Sequence, residues 1–355
     1  MISSRSFAKK LIQWSAENPR NYPWIGERDP YKIWISEILL QQTRSDQAKN
    51  YYEQFISTFP TLNMLTNSTE DEVLNLWKGL GYYSRARNLY QTARIIQEHY
   101  HSKFPNQYQD ILSLKGIGSY TAAAISSFAY NQAYSVVDGN VIRLLSRVFG
   151  ITKSIQDAAG KKYFQNFAQN LLDKKNPALY NQAIMNFGAL VCLPQKPQCN
   201  TCIFKKNCIA HTTNEISKYP SKSAKLKIKK RYFHYFLVKN KHGKIPIRKR
   251  TESDIWKHLY EFPMIETEKK HEYIKSNTEL ASQLGLQDNT DFKISKLGEK
   301  RHKLSHQELM INYYLLENVA FKPKIKALFS FVKPENLVNF AFPKATDLIL
   351  DYINT

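Results

Sequence analysis

Two carboxylic acids in this chain occupy settings that would drive their protonation apart. Glu37 is the only charged residue between Lys32 and Arg44, in the run Ile33-Trp34-Ile35-Ser36-Glu37-Ile38-Leu39-Leu40-Gln41-Gln42-Thr43. Desolvation among apolar side chains disfavours a carboxylate anion, so an acid buried there can give up a proton near neutral pH. The plainer alternative is a partnered buried acid, or one on an exposed stripe. Asp138 stands in Val136-Val137-Asp138-Gly139-Asn140-Val141-Ile142-Arg143, where it reads first as a helix N-cap. Hydrogen bonds from the helix N–H groups would also keep it ionised. A proton donor for the leaving group, paired with an anion facing a cationic sugar, is the logic of glycoside cleavage. Spacing alone does not bring the two residues together.

All four cysteines fall between Cys192 and Cys208, spaced Cys192-x6-Cys199-x2-Cys202-x5-Cys208. A disulfide framework would spread its cysteines to close loops, so the cluster reads as a metal site in a reducing compartment. Four thiolates suit tetrahedral zinc or a four-iron cluster, and the compact, uneven spacing with a single C-x2-C pair favours [4Fe-4S]. Redox chemistry is one use; a clip shaping the basic loop of Lys196, Lys205 and Lys206 is the plainer one. A third feature is Leu114-Lys115-Gly116-Ile117-Gly118-Ser119-Tyr120-Thr121-Ala122. Gly116 and Gly118 allow backbone conformations closed to other residues and would let a phosphate approach the N–H groups opening the next helix. Such a contact positions a protein on DNA without reading bases.

The elements that must carry these groups follow from pattern. To about Ala210 the chain is helical, with Val141, Leu144, Leu145 and Val148 at the spacing of an amphipathic helix. Lys218 to Arg231 contains seven basic residues and no acid, and reads as an exposed linker. Beyond it Tyr232-Phe233-His234-Tyr235-Phe236-Leu237-Val238 and Tyr313-Tyr314-Leu315-Leu316 read as strands and Lys241-His242-Gly243-Lys244 as a turn. The expected organisation is an all-α domain over 1–213, a linker over 214–231 and an α+β domain over 232–355. In 355 residues, 51 Lys and Arg against 30 Asp and Glu leave a formal charge of +21, which points to a polyanionic partner. No apolar run approaches the length of a membrane span, and the first ten residues lack the apolar core of a secretory signal. A cytoplasmic, nucleoid-associated protein is expected.

Together these residues resemble the helix-hairpin-helix DNA glycosylases, and among them the MutY-type adenine DNA glycosylases. The resemblance covers almost the whole chain. It rests on Trp34 to Thr43, on Leu76-Trp77-Lys78-Gly79-Leu80-Gly81-Tyr82-Tyr83-Ser84-Arg85-Ala86-Arg87-Asn88-Leu89, on the hairpin, on Val137 to Val141, on Asn181-Gln182-Ala183 and on the four cysteines. It implies a helix-hairpin-helix domain with a [4Fe-4S] loop, joined to a Nudix-like domain. It implies a monomeric enzyme acting on double-stranded DNA with adenine opposite 8-oxoguanine, the adenine being flipped out for cleavage. Glu37 would protonate N7 of the base; Asp138 would stabilise the sugar cation or trap it covalently, with Tyr120 and Asn140 in support. Trp24, Gln42, Tyr82, Gly116, Gly118 and Gln182 would contact substrate or DNA. Trp256-Lys257-His258-Leu259-Tyr260-Glu261-Phe262-Pro263-Met264 resembles the tryptophan motif of the lesion-reading domain, and Lys303-Leu304-Ser305-His306 its lesion-contacting loop, so Ser305 and His306 join the set. No glutamate-rich Nudix helix is apparent, and nucleotide hydrolysis is not expected.

Position 120 separates two branches. The endonuclease III type carries a lysine there that forms an imine and nicks the strand; Tyr120 cannot, which implies a monofunctional enzyme. A bifunctional glycosylase for oxidised pyrimidines and a catalytically inactive iron–sulfur DNA-binding protein are the alternatives. The chain departs from the family at Ile25, where an arginine is usual, at Lys115 for Pro, at Asn186 for an acid and at Leu304 for Phe. The charge excess makes a direct prediction. Raising salt from about 50 to about 200 mM should weaken duplex binding by roughly 10³-fold, because each neutralised phosphate releases counterions. A flat salt profile in a binding titration would contradict the electrostatic reading.

Overall fold

The computed structural model describes residues 2–221, 228–240, 242–268, 277–287 and 292–354. They form two compact units, one of residues 1–68 with 88–224, the other of residues 69–87 with 225–355. Within the chain, α1 (Ser4–Glu17), α2 (Pro30–Leu40), α3 (Ser45–Thr58) and α4 (Leu62–Thr66) precede α5 (Glu70–Leu76). Then come α6 (Ser84–His99), α7 (Tyr108–Ser113), α8 (Ser119–Tyr130), α9 (Gly139–Phe149), α10 (Ala158–Leu171), α11 (Pro177–Leu190) and α12 (Ile209–Thr212).

In the first unit, α2 starts where Asp29 caps the Tyr31 N–H and Pro30 fills the first turn. Its composition lacks a polar face, so it is buried all round: Tyr31 and every residue from Ile33 to Leu39 are inside, Glu37 among them. It packs against α3 and α8, where Ala122, Ala123 and Ala124 keep the contact thin. Val141, Leu144, Leu145 and Val148 form the buried stripe of α9. They share a core with Phe7, Leu11, Phe164, Ile184 and Phe187. Phe204, inside the cysteine loop, is fully buried there, stacked on Phe7 at 4.6 Å and edge-on to Phe187 at 5.3 Å.

The second unit carries a sheet of β1 (Lys229–Val238), β4 (Met264–Thr267), β5 (Lys293–Lys303) and β6 (Gln307–Glu317), and a smaller one of β2 (Ile245–Lys249), β3 (Tyr260–Glu261) and β7 (Ser330–Val332). The first runs β4-β1-β6-β5, with β1 parallel to β6 and the other pairs antiparallel; the second runs β3-β2-β7. Alternation along β1 sorts its side chains between two cores. Phe233, Tyr235 and Leu237 meet Ile245, Ile247 and the C-terminal α15 (Asp347–Asn354) on one side; α14 is the short turn Pro323–Lys326. Phe236 and Val238 meet Leu280 and Leu284 of α13 (Asn277–Leu284) on the other. The strands read at Tyr232–Val238 and Tyr313–Leu316 lie within β1 and β6. In the turn read at Lys241–Lys244, Asn240 Oδ1 accepts from the His242 and Lys244 N–H groups; Lys241 lies outside the described residues. Of the stretch read as linker, residues 222–227 lie outside the described residues. Lys229 to Arg231 already belong to β1, because pairing with β6 satisfies their backbone.

One glycine sets the spacing of two helices in the first unit. A Cβ on Gly188 of α11 would stand 2.8 Å from the Asn140 carbonyl oxygen and 2.9 Å from Asn140 Cβ at the start of α9. Both atoms belong to rigid parts of the chain, so Gly188→Ala must push the helices apart. We expect a loss of about 1–3 kcal/mol in a denaturant titration, the usual cost of overpacking. An unchanged midpoint would show that the gap is looser than the structure indicates.

Candidate active site

Glu37, Tyr120, Asp138, Asn140, Gln182, Trp24 and Gln42 all line one cavity of about 580 Å³ in the first unit. Glu37 projects from mid-α2 with 5% of its surface exposed. Burial pushes its carboxyl up to about 7; a hydrogen bond with the Tyr120 hydroxyl opposes the rise and the nearby Asp138 charge adds to it. Its Oε2 has no hydrogen-bond partner among the described residues. An orphan carboxyl oxygen on a cavity wall is chemically unsatisfied until something occupies the space. Tyr120 sits in the first turn of α8, its Oη 3.4 Å from Met185 Sδ, and burial holds its phenol well above the usual range.

Asp138 caps α9: Oδ1 accepts from the Val141 N–H and Oδ2 from Asn140 Nδ2, both at 2.7 Å. The expectation was that such bonds keep it ionised. They act in that direction, as does Arg143, yet burial is the larger influence and its carboxyl is raised from the ordinary value. Asn140 is positioned in turn by Arg143, whose Nη2 donates to Asn140 Oδ1 at 2.8 Å and to the Gly188 carbonyl at 2.7 Å. Arg143 Nε donates to the Cys192 carbonyl at 2.6 Å. One turn on, Arg147 donates to the Leu193 and Pro194 carbonyls at 2.6 and 3.1 Å, with Nη1 3.5 Å from Cys192 Sγ. Sequence reasoning missed both arginines. The available signal was two cations four residues apart on an otherwise apolar helix.

It also missed Arg20, the one basic residue among the described residues that line the cavity. Its guanidinium lies 4.5 Å over the Tyr22 ring, which stacks at 5.0 Å on Trp24. Arg28 does not take the place vacated at Ile25: its Nη1 is bound to the Phe128 carbonyl at 2.7 Å. Asn186, at another of the four departures, accepts from Gln182 Nε2 at 3.1 Å. In the hairpin the two glycines serve different ends. Gly116 is left-handed at φ +79°, and a Cβ there would meet Asn88 Cβ at 2.7 Å. Gly118 is extended at φ −94°, ψ 176°, a conformation open to other residues, and the space around it is open at the N-terminus of α8.

The four cysteines are unbridged. Burial pushes the Cys202 thiol up to about 11, against a hydrogen bond from the Phe204 N–H and reinforced by the charges of Cys192, Cys208 and Cys199. In the second unit, Tyr82 and Ser305 meet hydroxyl to hydroxyl. Both line a cleft of about 410 Å³ with Trp256, Leu304 and His306. Tyr82 is left-handed at φ +47° and half exposed.

A buried acid and a capped aspartate thus line one cavity, on the same helical unit as the glycine hairpin. Residues 35–176 match the HhH-GPD superfamily of base excision DNA repair proteins, and residues 234–352 match the NUDIX domain. A thermostable thymine-DNA glycosylase of known structure aligns with 59% of this chain and 97% of its own, at TM-score 0.55 and 28% identity. Endonuclease III in a non-covalent complex with DNA shares the fold, at TM-score 0.52 and 19% identity over 60% of this chain and 99% of its own. The adenine DNA glycosylase of Buchnera aphidicola from Schizaphis graminum is 38% identical over 317 residues, 89% of this chain and 88% of that one. The human adenine DNA glycosylase is 38% identical over 214 residues, 58% of this chain and 39% of that protein. The chain belongs to the adenine DNA glycosylase family, and its reaction is cleavage of an N-glycosidic bond in base-excision repair.

The geometry sets a pH dependence. The protonated form of Glu37 is the one that can donate, and it persists up to pH about 7 because its value is raised. Single-turnover cleavage should therefore fall about tenfold per unit above that pH. Glu37→Gln should remove this limb along with roughly 10²–10⁴-fold of the rate while duplex binding persists. A flat profile to pH 9 in the unmodified protein would show that Glu37 is not the acid.

Proposed function

We propose that this protein excises adenine mispaired with 8-oxoguanine from double-stranded DNA. The carrying observation is the unpartnered Glu37 Oε2 on the cavity that Asp138 also lines. An extruded adenine entering the cavity takes the Glu37 proton at N7. The C1′–N9 bond then breaks, its electron pair leaves with the base, and the sugar becomes an oxocarbenium ion. Asp138 supplies the facing anion, and water adds at C1′ with loss of a proton to give the abasic site. Tyr120 tunes Glu37 through its hydrogen bond, and Asn140 fixes the Asp138 carboxylate. Trp24, Gln42 and Gln182 contact the extruded nucleotide or its neighbours, and the Gly116–Gly118 hairpin holds the DNA backbone. With a phenol rather than an amine at position 120, no imine forms and the strand stays intact.

Cys192, Cys199, Cys202 and Cys208 would hold a [4Fe-4S] cluster. Their unbridged side chains would bind a cationic centre as thiolates. Among the described residues no three His, Cys, Asp or Glu side chains gather tightly enough to hold one metal ion. The cluster would supply a fixed loop presenting Lys196, Lys205 and Lys206 to phosphate. We assign catalysis to residues 1–213 and lesion reading to 232–355, whose Ser305 and His306 face the 8-oxoguanine together with Tyr82, which lines the same cleft. The Ser305 hydroxyl can both donate and accept, as a base that has gained a carbonyl and an N–H requires. The enzyme acts as a monomer in the cytoplasm; no described helix is long and apolar enough to cross a membrane.

Incubation with an A:8-oxoguanine duplex should release free adenine and leave an alkali-labile strand that is uncut before alkali. An intact adenine strand at stoichiometric enzyme, or borohydride trapping of the protein on the abasic duplex, would overturn the assignment. Ser305→Ala should lower the preference for 8-oxoguanine over guanine.

A further inference from the structure

The wall of the Tyr82–Ser305 cleft is formed in part by a strained turn. Trp256 and His258, two residues apart and neither of them glycine, adopt left-handed backbone angles of φ +60° and +66°. Side chains disfavour that region, and such strain persists only where the surroundings over-determine it. Three anchors do so, all within the second unit. At the N-terminal side Asp254 accepts from Arg231 at 2.7 and 2.9 Å and from Arg250 at 3.3 Å. In the middle the Lys257 carbonyl accepts from Arg87 Nη1. At the C-terminal side the His258 ring Nδ1 lies 2.5 Å from Glu70 Oε1, while the His258 N–H donates to the Arg250 carbonyl at 2.7 Å. Between the anchors the Trp256 indole is held edge-on to Phe233 at 6.1 Å and His302 at 6.0 Å, on the cleft wall shared with Tyr82 and Ser305.

Glu70 opens α5, whose next residue, Asp71, binds Lys249 at 2.5 Å and the Tyr260 hydroxyl at 3.0 Å. The segment that carries Tyr82 is thus tied to the strands flanking the Trp256 turn by side chains that do not themselves line the cleft. We propose that Glu70 is a positioning residue for lesion recognition: by holding His258 in its left-handed conformation it sets Trp256 against the Tyr82–Ser305 pair, and so sets how strongly 8-oxoguanine is preferred to guanine. This rests on the assignment of that cleft as the lesion reader. Glu70 touches neither cavity, so the chemical step is outside its reach.

The test compares single-turnover excision of adenine opposite 8-oxoguanine and opposite guanine, at subsaturating and saturating enzyme. Glu70→Gln should leave the saturated rate opposite guanine unchanged and reduce the 8-oxoguanine preference about tenfold, the scale of a lost charge-assisted hydrogen bond. Glycine takes a left-handed conformation at no steric cost. His258→Gly introduced into Glu70→Gln should therefore restore the preference. A role in general stability would lower both substrates together and gain nothing from glycine. Unchanged preference in Glu70→Gln, an equal fall on both substrates, or failure of glycine to restore it overturns the proposal. Ser305→Ala in parallel separates the two levels. If it loses preference while Glu70→Gln keeps it, the clamp is wrong and the cleft assignment stands; if Ser305→Ala keeps full preference, the cleft assignment fails.

Discussion

The first unit is organised around the burial of one carboxyl group. Glu37 could be solvated cheaply on any amphipathic helix, but α2 has no polar face on which to place it. Packing α2 against α3 and the alanine-rich stretch of α8 therefore carries an acid into the interior with its apolar neighbours. An unpaired buried anion is costly, so the group holds its proton to about pH 7. The same packing leaves the cavity that Glu37 lines. Stability and protonation draw on one feature: removing the burial would lower the cost and also return the carboxyl toward its ordinary value.

The opposing carboxylate is governed by a helix terminus. Asp138 is fixed by the first N–H groups of α9 and by Asn140, and Arg143 holds Asn140 while reaching the backbone of Cys192. A buried guanidinium is tolerated only when its donors are matched, and Arg143 and Arg147 meet theirs chiefly with carbonyl oxygens from α11 and the cysteine loop. The cysteine loop and Asp138 are consequently parts of one hydrogen-bonded body, pinned to the core by Phe204. Gly188 makes the arrangement possible by bringing α11 onto Asn140.

In the second unit strict alternation along β1 separates two cores, and the irregular chain between β2 and β3 is where the design departs from regularity. Arg250 and Asp254 of that segment form ion pairs with Glu261 of β3 and Arg231 of β1, Arg250 being buried and Glu261 completely so. Such pairs add little net stability, but each fixes a direction, and together they hold the Trp256 turn in a conformation its own residues disfavour.

Much of this protein was legible in its residues. Helical and strand periods reflect local geometry, so the α9 stripe and the β1 and β6 strands were readable from spacing. The cysteine cluster and the glycine hairpin could be singled out because their residues stand close together in the chain. Glu37 and Asp138 could each be singled out, yet they lie 101 positions apart by residue number, and only the packing of α2, α8 and α9 places both on one cavity. Arg20, Arg143, Gly188 and Glu70 were not visible, since their roles are relations to groups distant in sequence. The direction of the Asp138 shift was likewise beyond the sequence: capping bonds are local and predictable, whereas desolvation depends on how much of the rest of the chain closes over the group.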